Sequence, residues 1–333
     1  MKVKELIIKL CSAPAVGHIK EAVAVAEQEL KTFSSVEVKD TYLRADIGCD
    51  NAKTVMLEAH IDQVAMIVTT VYDGGFLSVT PVGAIDGRFL PATPVKIYGK
   101  EVIKGVFTSV PPHLKSGSSC PDFDKCMIDT GRTDLKDIVS PGDMVFFDYS
   151  VADLKNDRLS SPGLDNRAGC AAVIAAAKKI AEEKLPIHTL VILSMGEELG
   201  LRGAKVAAYN AEVSTAIAVD VSFGDSPEVP ANKTARLESG TMIGISPVLN
   251  KDIYKNLERL AEKNNIPFTV EVMGGKTGTD ADVISITRGG IPTGLLSIPL
   301  RNMHTPLEVV SVKDIDATAR LIYEFVKEAA END

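Results

Sequence analysis

TLVILSMGEELGLRGAKVAAY (189–209) sets the class of fold. Its first part, TLVILSM (189–195), carries no charge and reads as a strand buried on both faces, the kind found inside a parallel sheet. GEELGLRGAKVAAY (196–209) then opens a helix. A buried strand running at once into a helix is the repeating unit of α/β folds. The junction also sets Glu197 beside Glu198. Adjacent carboxylates repel, so something positive between them has to make the pair tolerable.

The same rhythm extends in both directions. HIKEAVAVAEQELKTF (18–33) has apolar residues at helical spacing, and TVMLEAHID (54–62) is a strand that ends in polar residues. AGCAAVIAAAKKIAEEK (168–184) is a helix whose small residues suit close packing on a sheet. TAIAVDV (215–221), TVEVM (269–273) and GIPTGLLSI (290–298) read as strands, and 251–264 as a helix. In the last helix, SVKDIDATARLIYEFVKEAA, Ser311 is placed to cap and Asp314 to favour the positive end. From Gly74 to Tyr149 the texture changes to short β-branched runs separated by Gly, Pro and Asp, which predicts a small all-β module. The simplest architecture is one α/β domain, 1–70 plus 160–333, interrupted by a β-rich insertion at 71–159.

Composition bounds the function. With 333 residues, 45% of them hydrophobic and 24% charged, the chain can bury a substantial core. Tryptophan is absent and aromatics are 5%, so that core is aliphatic and alanine-rich. A net charge of −9 argues against nucleic acid or an anionic membrane as principal partner, because both need a basic face. Lys9 interrupts the apolar start too early for a secretory signal, and no stretch approaches the roughly 18 apolar residues of a membrane span. The five cysteines are scattered, unlike a secreted disulfide framework. Cys120 and Cys126, five residues intervening, match no common zinc spacing and read as ordinary thiols. The expected location is the cytoplasm.

Ligands of open α/β sheets bind beyond the carboxyl ends of the strands. The polar residues there are His60 and Asp62, Asp165 in LDNR, Glu197 and Glu198, Asp220 within AIAVDV, and His304. Each has an ordinary explanation. Asp62 can simply hydrogen-bond His60, Asp165 can cap a helix, and Glu197 and Glu198 can be first-turn acids. Asp220 is harder to dismiss, since a carboxylate in an apolar run needs a partner. His18, His113 and His188 lack such company and read as structural. Taken together, imidazoles and carboxylates are the donors that Zn²⁺ and Co²⁺ accept. A site with two cations about 3.5–4 Å apart needs a bridging carboxylate, terminal ligands and a free base. Glu198 as ligand and Glu197 as base would make the acid pair attractive rather than repulsive.

The stretches SAPAVGH (12–18), AHIDQVAMIV (59–68), FLPATPVKIYG (89–99), GLDNRAG (163–169), GEELGLRGA (196–204), VDV (219–221), GTDA (278–281) and MHTPLEVV (303–310) together resemble the tetrahedral (TET-type) aminopeptidases. That family of di-metal peptidases includes members labelled glutamyl aminopeptidase or cellulase. The resemblance implies a mixed-sheet α/β/α metallopeptidase domain with a smaller inserted β-barrel-like domain. It implies that His60, Asp165 and Asp220 bind one metal, and that Asp165 bridges to a second held by Glu198 and His304. Glu197 would be the general base, Asp62 would orient the His60 ring, and the Asp165–Asn166 peptide would be cis. Two divalent ions, Zn²⁺ or Co²⁺, would activate a water for hydrolysis of amino-terminal residues from short peptides. Dimers formed through the insertion would build a tetrahedral dodecamer. Gln63 and Asn166 depart from the family pattern, where Glu and Asp are common, which bears on metal affinity or preference.

Other readings stay open at this point. A glycosidase sets two carboxylates about 5–9.5 Å apart and has no use for His60 and His304. A related di-metal deacylase or carboxypeptidase would use the same ligands, and a non-enzymatic assembly would be expected to have lost some. Asp280 in GTDA either lines the substrate side or caps a helix, and Lys233, Arg236 and Lys276 are candidates for binding an acidic substrate side chain.

Overall fold

The structure, a computed structural model, describes residues 2–48, 53–114, 123, 126–227 and 229–331. The chain divides into two units: Met1–Asp62 with Val151–Met303 and Glu308–Asp333, and Gln63–Ser150 with His304–Leu307.

The first unit is built on a mixed sheet. Its centre is four parallel strands, β1 (Thr54–His60), β2 (His188–Ser194), β3 (Thr215–Phe223) and β4 (Thr293–Arg301), side by side in the order β2-β1-β3-β4. Strands covered on both faces need apolar side chains on both, which is why their sequences read as unbroken hydrophobic runs. Antiparallel strands flank this centre: Tyr42–Ile47 and Ser35–Val38 beyond β2, Glu308–Ser311, Arg158–Ser161 and Ala152–Leu154 beyond β4.

Alternate residues of the centre enter different cores. Leu57 and Val191 pack with α1 (Val3–Cys11), α2 (Glu21–Leu30), α3 (Leu164–Glu183), α5 (Lys251–Lys263) and α7 (Val312–Glu331). Met56, Leu190 and Ile192 pack on the opposite face with α4 (Arg202–Tyr209) and α6 (Ala281–Ile284). The unit is therefore an α/β/α sandwich. Buried alanines at 168, 171, 172, 176 and 177 let α3 lie close against the sheet.

The second unit is a closed six-stranded barrel, Ala65–Val71, Phe76–Val82, Pro94–Tyr98, Val102–Phe107, Met127–Asp129 and Met144–Phe147. Its interior is filled by Met66, Leu77, Val79, Ile97, Phe107, Ile128 and Val145. Pairing of Val102–Phe107 with Met127–Asp129 closes the circle, which removes the free edges a small β unit would otherwise expose.

One local expectation changes. The helix expected from Gly196 begins at Arg202, because Gly196 (φ 83°), Gly200 (φ 97°) and Leu201 (φ 59°) take left-handed conformations and form a turn instead. Glu197 and Glu198 are therefore not first-turn acids. Asp314 is the acid of the first turn of α7, as expected, and its buried carboxylate also accepts the N–H groups of Glu238 and Gly240, each at 2.8 Å. Ser311 does cap, with Oγ accepting the Lys313 N–H at 3.3 Å. Cys126 is buried, while Cys120 lies outside the described residues. Among the described residues no helix is long and apolar enough to cross a membrane.

Candidate metal centre

Register brings the first two donors together. His60 stands opposite Ser194 across β1 and β2, and Glu58 opposite Ala218 across β1 and β3. Residues two apart on a strand share a face, so His60 and Asp220 emerge side by side. His60 Nε2 lies 3.5 Å from Asp220 Oδ1, 3.2 Å from Asp165 Oδ1 and 4.0 Å from Glu197 Oε2. His60, Asp165 and Asp220 are buried and offer ligand atoms within 4.8 Å of one another.

Asp165 is not a helix cap. Gly163 occupies that position with no side-chain bond, and Asp165 itself is non-helical (φ −77°, ψ 107°). The Asp165–Asn166 peptide is cis, and the Asp165 N–H donates to the buried Glu308 carboxylate at 3.1 Å. Glu198, on the turn after β2, offers an oxygen within 4.8 Å of one from Asp165. Asp62 Oδ1 lies 3.6 Å from His60 Nδ1 and accepts the Glu197 N–H at 3.3 Å. His304 has left-handed backbone (φ 60°) and belongs to the stretch His304–Leu307 that packs with the second unit.

Asp280 makes no helix cap either. It is buried and accepts from Ser194 Oγ at 2.6 Å beneath the end of β2. The buried Glu58 is its charged neighbour, and burial followed by the Asp280 charge pushes the Glu58 carboxyl well above its usual range. Glu58, Ser194, Arg167 and Glu308 escaped the sequence reading; Glu58 alone carried a signal, a charge inside the apolar run TVMLEAH. Lys233, Arg236 and Lys276 are exposed. His188 bridges Thr54 and Asp46, at 3.0 Å from each.

Four carboxylates, Asp62, Asp165, Glu197 and Asp220, lie within 4.0 Å of the His60 imidazole, and the charge there does not balance. Burial pushes Glu197 up to about 9, relieved in part by His60 and reinforced by Asp220, Asp280 and Glu198. Burial likewise raises Asp220 to about 6. Burial disfavours the His60 cation, yet Asp220, Glu197 and Asp165 outweigh it and raise the ring well above its ordinary value. With no cation beside them, burial and mutual repulsion push Glu197 and Asp220 towards their protonated forms. A divalent cation satisfies them instead, and the nitrogen-and-oxygen donor set suits one. Among the described residues, the buried His60 Nδ1 and Asp62 Oδ2 have no hydrogen-bond partner.

The family model for M42 glutamyl aminopeptidases matches residues 43–321. The chain belongs to the M42 family. A lysyl aminopeptidase of Pyrococcus furiosus is 31% identical over 287 residues, covering 84% of this chain and 82% of the relative. The aminopeptidase APDkam598 of the archaeon Desulfurococcus kamchatkensis superposes with a TM-score of 0.91 at 28% identity, covering 98% and 94% of the two chains. The TET1 peptidase of Pyrococcus horikoshii, described as able to assemble into a tetrahedron or a large octahedral shell, gives 0.86 at 26% identity over 97% and 99%. As an M42 peptidase the protein is a hydrolase of peptide bonds, of the aminopeptidase type, in a metal-dependent family, and its described residues include histidine and carboxylate groups that could hold a metal.

Proposed function

We propose that this M42 peptidase works with two divalent cations, Zn²⁺ or Co²⁺, one held by His60, Asp165 and Asp220 and one by Asp165, Glu198 and His304. The observation that carries this reading is the convergence of His60, Asp165 and Asp220 from three separate chain segments on one point beside Glu197. His304 joins through connectivity: it lies four residues before Glu308, whose carboxylate holds the Asp165 N–H.

Bound there, such ions supply Lewis-acid activation of a water and of the scissile carbonyl. Glu197 stays outside the ligand set, accepts the proton of the attacking water and delivers it to the leaving amine. Asp62 fixes the His60 ring through Nδ1 and raises its basicity. The anionic surplus of the site suits a free α-ammonium group, which selects short peptides with unblocked amino termini over N-acylated ones.

A panel of aminoacyl-p-nitroanilides, assayed after chelation and metal add-back, tests this. We expect activity to vanish and return with metal; no metal-restored release from any unblocked substrate defeats the reading. Glu197→Gln should still bind metal but lose about 10²–10⁴-fold in turnover.

The assembly named for the P. horikoshii relative supports a homo-oligomer here, dimers building a tetrahedral dodecamer, with dimer contacts assigned to the β-rich insertion at 71–159. Mass photometry should give twelve times the 35.6 kDa protomer mass, and a monomer would refute it. We assign the enzyme to the cytoplasm, in keeping with its scattered cysteines.

A further inference from the structure

The tripeptide that carries Asp165 reaches each strand end of the buried trio. Asn166, fully buried, donates from Nδ2 to the carbonyl of Val219 at 2.7 Å, the residue just before Asp220. Its Oδ1 accepts the Gly169 N–H at 3.0 Å. Because an N–H claims one end of the amide, the other end must be the donor, and the orientation is fixed chemically. Asp220 is held from its other side too, since its Oδ1 accepts the Val221 N–H at 2.8 Å.

Arg167, also fully buried, donates from Nε to the carbonyl of Ile61 at 2.8 Å, the residue between His60 and Asp62. Its Nη1 donates to the carbonyls of Leu10 at 2.7 Å and Ala13 at 2.8 Å. Leu10 is in the last turn of α1, where carbonyls lack helical partners and the dipole favours a cation. The planar guanidinium is thus a rigid spacer, one edge on the end of α1 and one on the His60–Asp62 turn.

We propose that Asn166 and Arg167 are positioning residues for the metal centre, so that Asp165, Asn166 and Arg167 form one template spacing Asp165 from Asp220 and from His60. This rests on the metal-centre reading above. Metal–ligand distances tolerate only about 0.2 Å. Two of these hydrogen bonds, from Asn166 to Val219 and from Arg167 to Ile61, end on a backbone carbonyl adjacent to a ligand residue, so their loss moves the ligand. Asparagine at 166 also acquires a reason. An ionised aspartate there would keep the acceptor for Gly169 but set a carboxylate oxygen against the Val219 carbonyl 2.7 Å away, so that it would have to hold a proton to supply the donor that the amide supplies outright.

Two variants test this, Asn166→Asp, nearly unchanged in size, and Arg167→Lys, which keeps the charge and loses the fork. Protein stripped of metal is titrated with Co²⁺, following affinity by calorimetry and ligand geometry by the visible absorption bands; melting in EDTA reports the metal-free fold. We expect Co²⁺ binding weaker by about 10–100-fold, altered band positions and intensities, and little change in the EDTA melt for Asn166→Asp. Wild-type affinity and spectrum in both variants overturn the proposal, as does a loss of affinity that merely tracks a fall in the EDTA melt. If Arg167→Lys does not fold, Asn166→Asp decides alone. Wild-type protein that takes up no Co²⁺ overturns the metal-centre reading itself, and this inference with it.

Discussion

Replacing Asp314 with asparagine isolates a contest between two forces on one buried carboxyl. Two backbone N–H groups, from Glu238 and Gly240 at 2.8 Å each, favour the ionised form, while burial opposes it. Burial wins, and the group is raised from 3.8 to about 6. The sign follows from proton counting. Between those two values the folded chain keeps a proton that the unfolded chain has released, so stability falls as pH rises through the window and is flat above it. At about 1.36 kcal/mol for each tenfold change in proton affinity, the rise from 3.8 to about 6 makes the loss at most about 3 kcal/mol between pH 4 and pH 7. Asparagine cannot ionise, so the Asp314→Asn variant escapes that loss while offering a single acceptor to two donors. Urea denaturation of both proteins in EDTA, across pH 4 to 7, should show the stability difference moving towards the variant by up to about 3 kcal/mol. A difference that stays constant with pH, or moves the other way, refutes the argument that desolvation dominates at this site.

Asp62→Asn should weaken Co²⁺ binding about 10–100-fold, because the amide cannot support His60 Nδ1 as a carboxylate does; unchanged affinity in a Co²⁺ titration would remove Asp62 from that role. Gly203→Ala should lower both melting temperature and kcat, since a Cβ there would lie 2.4 Å from the Thr41 carbonyl oxygen and 2.5 and 2.6 Å from the Met195 carbonyl oxygen and amide nitrogen, pushing on the turn that carries Glu197 and Glu198. Wild-type kinetics and melting in that variant would show the turn to be slack. Chelation should lower the melting temperature and metal restore it: at 100 times Kd a ligand confined to the folded state adds about 2.7 kcal/mol, and a melt indifferent to EDTA contradicts a resident metal.

Much of this organisation was legible in one chain because the relevant physics is local. Central parallel strands must be apolar on both faces, so TLVILSM and TAIAVDV announce themselves. The rule that ligands gather past the carboxyl ends then marks His60 and Glu197 without any distance being known. Where the local rules misled, the partner lay far along the chain. Glu197 looked like an acid serving a helix amino end, but left-handed residues at 196, 200 and 201 lift it off the helix. Asp280 looked equally fit to cap α6, yet its carboxylate binds a serine 86 residues away.

One signal survives this weakness of local reading, and it is energetic rather than conformational. A charge within an apolar strand costs several kcal/mol unless something distant compensates it, so its presence reports a remote partner even when the partner is unknown. Asp220 was singled out for that reason and sits beside His60. Glu58 has the same signature in TVMLEAH, on the same face of β1 as His60, and meets Asp280. The polar residues that position the ligands carry no such mark. Asn166 and Arg167 stand in a turn-like LDNR, where polarity is expected. Their burial follows only once α3 is laid across β1 and β3, and their bonds end on backbone carbonyls, which are the same in every sequence. Charges buried within apolar strands are therefore readable from sequence, and the residues that bond beside them become readable only in the fold.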